Sequence, residues 1–186
     1  APWPKGTECA KAVFLEKEGA VPGEVMSYRP LLIMAAVYRK CASIRLATLE
    51  EWIAKWAMEE MYAGTGGQGA EDAWYQTIAD IEDLTMAGGH YCGAAADIRK
   101  FVDQLIREMV YALAEEAGMP NRVLEPYRRF QELMKVHNSL ANSIGMPYHR
   151  VCSIPQGCPL SMMFVALMVR PWIVKLKGMN VVPKVL

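Results

Sequence analysis

Two prolines and a glycine fall within the five residues Pro155-Gln156-Gly157-Cys158-Pro159, directly ahead of an apolar run at 162–176. Proline fixes φ and removes a donor, while glycine reaches conformations closed to other residues, so this segment reads as a rigid turn. The run behind it spans about four helical turns and is interrupted only by Arg170, Pro171 and Lys175. It predicts a buried helix with a kink at Pro171. Such a helix needs other elements packed around it. A composition of 53% hydrophobic and 22% charged residues supplies them and excludes a disordered tail or a collagen-like rod. With 186 residues, one structural unit is the starting expectation.

Short apolar runs at 12–15 and 31–34, the second following Tyr28-Arg29-Pro30, predict two strands. Between 35 and 61, Val37, Ile44, Leu46, Leu49, Ile53, Trp56 and Met61 recur at helical intervals without Gly or Pro, which predicts one long helix or two in series. The glycine cluster at 63–69 is a loop before a helix over 71–86 that opens with acids. It lacks the order of residues that makes a phosphate cradle. The small apolar run 91–96 predicts a buried strand presenting Asp97 at its edge. Helices follow over 102–117, stopped by Gly118 and Pro120, and over 122–137. Segments 140–144 and 149–154 flank Gly145-Met146-Pro147 and predict a hairpin. Residues 178–186 show no packing pattern and read as a mobile tail. The fold class is therefore α+β and mostly helical, with a small antiparallel sheet backed by helices.

Net charge is zero, yet all 20 carboxylates lie at or before Glu132. Beyond it Lys135, Arg150, Arg170, Lys175, Lys177 and Lys184 stand without an acid, an asymmetry that suits a phosphate-facing surface near that end. Five cysteines, Cys9, Cys41, Cys92, Cys152 and Cys158, form no CxxC pair and read as reduced structural thiols. With neither a signal pattern nor an uninterrupted apolar span, the expectation is an intracellular, nuclear or cytoplasmic, soluble chain without membrane contact.

Asp97 carries Arg99 and Lys100 directly behind it. A strand-edge carboxylate beside basic groups suits metal-assisted phosphoryl transfer, the acid holding Mg²⁺ and the bases meeting phosphate oxygens. Asp103 reads as a cap for the helix that follows. Gln156 sits on a stiff backbone, and its amide both donates and accepts, which suits contact with a base or sugar edge.

Taken in order, these blocks resemble the reverse transcriptases, particularly those of non-LTR (LINE-like) retrotransposons and more distantly those of group II introns. Val13-Phe14-Leu15-Glu16-Lys17 with Gly19 is similar to the first fingers strand, and Tyr28-Arg29-Pro30-Leu31 to the start of the next. Gly67-Gln68-Gly69-Ala70-Glu71-Asp72-Ala73 resembles the glycine-containing block before the palm. Ala96-Asp97-Ile98-Arg99-Lys100-Phe101-Val102-Asp103 resembles the motif with the first catalytic aspartate, and Ile154-Pro155-Gln156-Gly157-Cys158-Pro159-Leu160-Ser161 the motif after it. The resemblance spans about residues 10–176. It implies a right-hand polymerase with a fingers-like segment at 1–90, a partial palm at 91–177 and a tail at 178–186. It further implies that Asp97 and the Ile98 carbonyl bind Mg²⁺, and that Lys17 and Arg29 approach the incoming triphosphate or the template. Gln156 and Gly157 would line the nucleotide and template pocket. The implied partners are an RNA template, a DNA primer and deoxynucleotide triphosphates.

Two departures qualify what the resemblance implies. The family's third palm motif, an aromatic, a variable residue and two adjacent aspartates, is absent from 158–186, so Asp97 has no downstream partner and the chain alone is expected to be inactive. Val102 stands where the family places a bulky aromatic against the ribose 2′-hydroxyl. An incomplete palm sheet would also expose an edge that invites self-association. The alternative reading is a catalytically dead module, derived from a retroelement, that binds nucleic acid or a protein partner.

Overall fold

The computed structural model of the chain describes residues 3–21, 23–140 and 143–186. Strand β1 (Cys9–Glu16) and strand β2 (Tyr28–Met34) pair antiparallel, with Ala10 opposite Met34 and Glu16 opposite Tyr28. Alternation sends Ala10, Ala12, Leu32 and Met34 into the core and leaves Cys9, Lys11, Leu15, Arg29 and Ile33 outside. Lys17 extends the hairpin, its N–H donating to the Ser27 carbonyl at 2.9 Å and its Nζ to that of Met26 at 3.0 Å. Strand β3 (Lys135–Leu140) lies parallel to β1, and the two-residue strands β4 (Ser143–Ile144) and β5 (Tyr148–His149) pair antiparallel with β3. The sheet is therefore mixed, not wholly antiparallel. Parallel neighbours require a crossover, and here every helix between β2 and β3 belongs to it.

Helices α1 (Ala36–Ala47) and α2 (Glu50–Trp56) are the two-in-series form of the expected helix, separated at Thr48 and the fully buried Leu49. Helix α3 (Ala70–Met86) starts after the glycine loop, where the Asp72 carboxylate accepts the Gly69 N–H at 2.7 Å. Much of it projects from the body, with Trp74 69% and Tyr75 73% exposed. The single helix expected over 102–117 is two, α4 (Phe101–Gln104) and α5 (Arg107–Glu116). Leu105 and Ile106 between them are extended because the Leu105 carbonyl accepts the Ser153 N–H at 2.8 Å.

Helix α6 (Asn121–Leu133) stops short of His137, since residues 135–137 are drawn into β3, where Lys135 N–H donates to the Glu8 carbonyl at 2.8 Å. Tertiary strand pairing has overridden a local helical pattern. The turn at 145–147 is present, but its arms pair with β3 rather than with each other; residues 141–142 of the first arm lie outside the described residues.

Helix α7 (Ser161–Lys177) is the apolar run after the proline-rich turn and contains Pro171. Met163, Phe164, Leu167 and Ile173 are buried, with the Phe164 ring 4.7 Å from that of Tyr127 on α6. Around it Trp3, Tyr38 and Phe130 form an aromatic cluster in which Tyr38 and Phe130 stack at 3.5 Å.

Two further expectations are corrected. Residues 91–96 form no strand and are exposed, and among the described residues no backbone hydrogen bond involves 90–97. Gly93 and Ala94-Ala95-Ala96 offer too little apolar area to bury. The C-terminal tail is docked, with Val185 bridging to Met61 through bonds of 2.9 Å from its N–H to the Glu60 carbonyl and from the Tyr62 N–H to its own carbonyl. Lys184 Nζ adds an ion pair to Asp80 at 2.6 Å. No described helix is long and apolar enough to cross a membrane.

Candidate functional site

A cleft of about 520 Å³ opens between the β1–β2 hairpin, α4, the turn at 155–158 and the start of α7. Lys17, Arg29, Ile98, Lys100, Val102, Gln156 and Gly157 all line it, together with Tyr28, Phe101, Asp103 and Ser161. Asp97 and Arg99 are not among the lining residues; both are exposed on the extended segment that leads to α4.

Local chemistry makes the cleft floor rigid. The Gln156 carbonyl accepts the Leu32 N–H at 2.8 Å, so the turn occupies the edge of β2 that β1 leaves open. The Pro155 carbonyl accepts Ser161 Oγ at 2.7 Å. Gly157 has φ +116°, which other residues rarely adopt, and its Cα packs closely on the Leu32 backbone. One layer down, Ile154 N–H donates to the Val102 carbonyl at 3.1 Å and ties this turn to the Asp97-bearing segment.

Arg107 on α5 is buried, and among the described residues no carboxylate hydrogen-bonds to it. Its Nε donates to the Ser153 carbonyl at 3.0 Å, and its terminal nitrogens to those of Cys152 and Gln131 at 3.3 Å. A buried guanidinium is tolerated only where its donors are satisfied, and here three carbonyls do so. Ser153 itself is buried with φ +79°, a backbone conformation kept in place by these partners. Arg107 and Ser153 carry no motif of their own, and a lone base on an amphipathic helix gave no signal that it points inward.

Asp103 does not cap a helix. Its carboxylate pairs with Arg150 at 3.1 Å, both side chains being mostly buried, and this neutralises the one acid among the described residues that line the cleft. Lys17, Arg29 and Lys100 remain as its cations, giving a positive lining suited to phosphate oxygens. Beneath them Cys158 Sγ lies 3.2 Å from the Tyr38 hydroxyl. Burial pushes the Cys158 thiol up and holds Tyr38 and Tyr127 well above the usual tyrosine range. A thiol so placed keeps its proton and serves packing rather than nucleophilic attack.

The donor set for a metal is thin. Among the described residues no group of three or more His, Cys, Asp or Glu is placed to hold an ion. Asp97 is a single exposed carboxylate, and one such group does not fit a pair of Mg²⁺ ions against their repulsion and hydration.

No family model matches the chain, and no curated protein matches it.

Proposed function

We propose that this chain is the fingers and part of the palm of an RNA-directed DNA polymerase, and that its cleft receives a deoxynucleotide triphosphate beside a template. The observation that carries the reading is the convergence on one cleft of Lys17, Arg29, Ile98, Lys100, Val102, Gln156 and Gly157, chosen from motifs far apart in sequence. In this reading Lys17, Arg29 and Lys100 meet the triphosphate, Val102 borders the sugar, and Gln156 and Gly157 bound the base and template. Catalysis by such polymerases rests on positioning and charge neutralisation, and this chain supplies the positioning. The resemblance also implies Mg²⁺ at Asp97. The acids present fall short of that, so no chemical step is assigned to this chain alone.

Binding of a fluorescent deoxynucleoside triphosphate tests the reading. The double variant Arg29→Glu, Lys100→Glu is expected to bind at least about tenfold more weakly, since each charge-assisted contact is worth about 1.5–3 kcal/mol. Unchanged binding in a variant that melts like the parent rejects it. The isolated carboxylate at Asp97 favours a second reading, a catalytically inert module that keeps the nucleic-acid cleft.

A further inference from the structure

We propose that the outer face of helix α3 is a docking site for a basic amphipathic helix of a partner protein. Of the 17 residues of α3, Ala73 is the buried one. Helices in folded proteins owe most of their stability to an apolar face packed against something else, and here that face is largely open. Trp74, Ile78, Ile81 and Thr85 follow one another at helical spacing, which sets them in a single line about 16 Å long. Trp74 and Ile78 are exposed and Ile81 is half-buried. Thr85 donates its hydroxyl to the Ile81 carbonyl at 2.7 Å, so it adds no open polar group to the line.

The body of the protein holds α3 from the other side. Gln76 accepts the Tyr62 hydroxyl, and Asp80 pairs with Lys184 at 2.6 Å. Two residues along a helix turn it by about 200°, so Gln76 and Asp80 point away from Trp74 and Ile78.

Charge says what fits the open line. From residue 56 to residue 98 the chain has no Lys or Arg and eight acids, five of them on α3. Asp72 caps the helix and Asp80 is paired, whereas Glu71, Glu82 and Asp83 make no ion pair among the described residues. Glu71 and Glu82 stand seven residues before and four after Ile78, which places them along one rim of the apolar line. An apolar line edged by carboxylates and lacking cations complements a helix with apolar residues at the same spacing and Lys or Arg beside them. It repels phosphate-bearing ligands, and a second α3 laid against it would set acid against acid. Tryptophan and tyrosine are the side chains that most often anchor protein interfaces, and Trp74 and Tyr75 stand adjacent and exposed on this helix. The inference goes beyond the cleft reading and holds whether or not that reading stands.

Fluorescence anisotropy of a labelled heptad-repeat peptide, with Leu at its apolar positions and Lys beside them, tests this on the chain as it stands. It is expected to bind at least about tenfold tighter than a counterpart with Glu in place of Lys, and to weaken as salt rises. Trp74→Ala with Ile78→Ala keeps every acid of α3 and is expected to weaken binding at least about tenfold. Should that variant melt below the parent, Glu71→Lys with Glu82→Lys tests the rim alone, and its expected effect is to reverse the preference toward the glutamate peptide. Equal binding of the two peptides, or parental binding by the alanine variant, overturns the proposal. So does a self-associated chain that sedimentation shows to come apart in the alanine variant, because the face is then a contact between copies.

Discussion

A methyl group on Gly157 would lie 2.5 Å from the carbonyl oxygen of Leu32. The turn carrying Gln156 and strand β2 are thus in backbone contact, and the hydrogen bond from Leu32 N–H to the Gln156 carbonyl depends on that closeness. Gly157→Ala is expected to cost about 2–4 kcal/mol, combining a positive-φ penalty with a steric clash. Urea denaturation measures this directly. A loss below about 0.5 kcal/mol, the level of an ordinary surface substitution, would show that the turn is not anchored this way.

Arg107 holds the stretch ahead of that turn through the carbonyls of Cys152 and Ser153. Arg107→Ala leaves buried carbonyl acceptors unpaired, so a destabilisation of about 1–3 kcal/mol is expected. Arg107→Lys, with no planar fork, recovers only a minor part of it. Equilibrium unfolding of both variants decides, and full rescue by lysine would exclude the three-carbonyl arrangement as the source of stability.

Alkaline pH attacks the core through its acids. Burial pushes Tyr111 up to about 12, raises Tyr38 and Tyr127 well above 10.0, and raises Cys158 above 9.0. The unfolded chain ionises first, so the stability these groups contribute is complete below pH 9 and is lost as pH climbs through the folded values. Each group contributes a slope of about 1.4 kcal/mol per pH unit in that window. Chemical denaturation between pH 8 and pH 11 is expected to show this decline, shallower in Tyr38→Phe. A flat profile contradicts it.

Val102 leaves room beside the sugar position of the proposed nucleotide. In a protein extended to carry the paired aspartates, Val102→Phe is expected to raise discrimination against ribonucleotides by at least about tenfold. Relative incorporation rates of the two sugar types give the answer, and equal discrimination by valine and phenylalanine removes Val102 from that role.

Much of the α+β outline was legible because it is written in local pattern. The proline-rich turn and the apolar run behind it became α7, and Tyr28-Arg29-Pro30 opened β2. What was misread required knowledge of distant partners. Lys135 looks helical until Glu8 takes its N–H, and Leu105 until Ser153 takes its carbonyl. Val185 has no visible periodicity because it needs only one bridge to Met61. At the cleft, residues with special backbone or charge were legible, whereas Arg107 and the Asp103–Arg150 pair were not, since their roles lie in what they touch. The failed strand at 91–96 shows the opposite error: small apolar residues permit burial but do not drive it.

The parallel pairing of Cys9 with Lys135 has a consequence for biogenesis. The β1–β2 hairpin closes from neighbouring residues and can form early on the ribosome, but β1 must then wait for the 118 residues between Glu16 and Lys135 before its other neighbour emerges. Pairings this remote form slowly, and until they do the newborn hairpin presents a bare edge to chaperones and to other nascent copies.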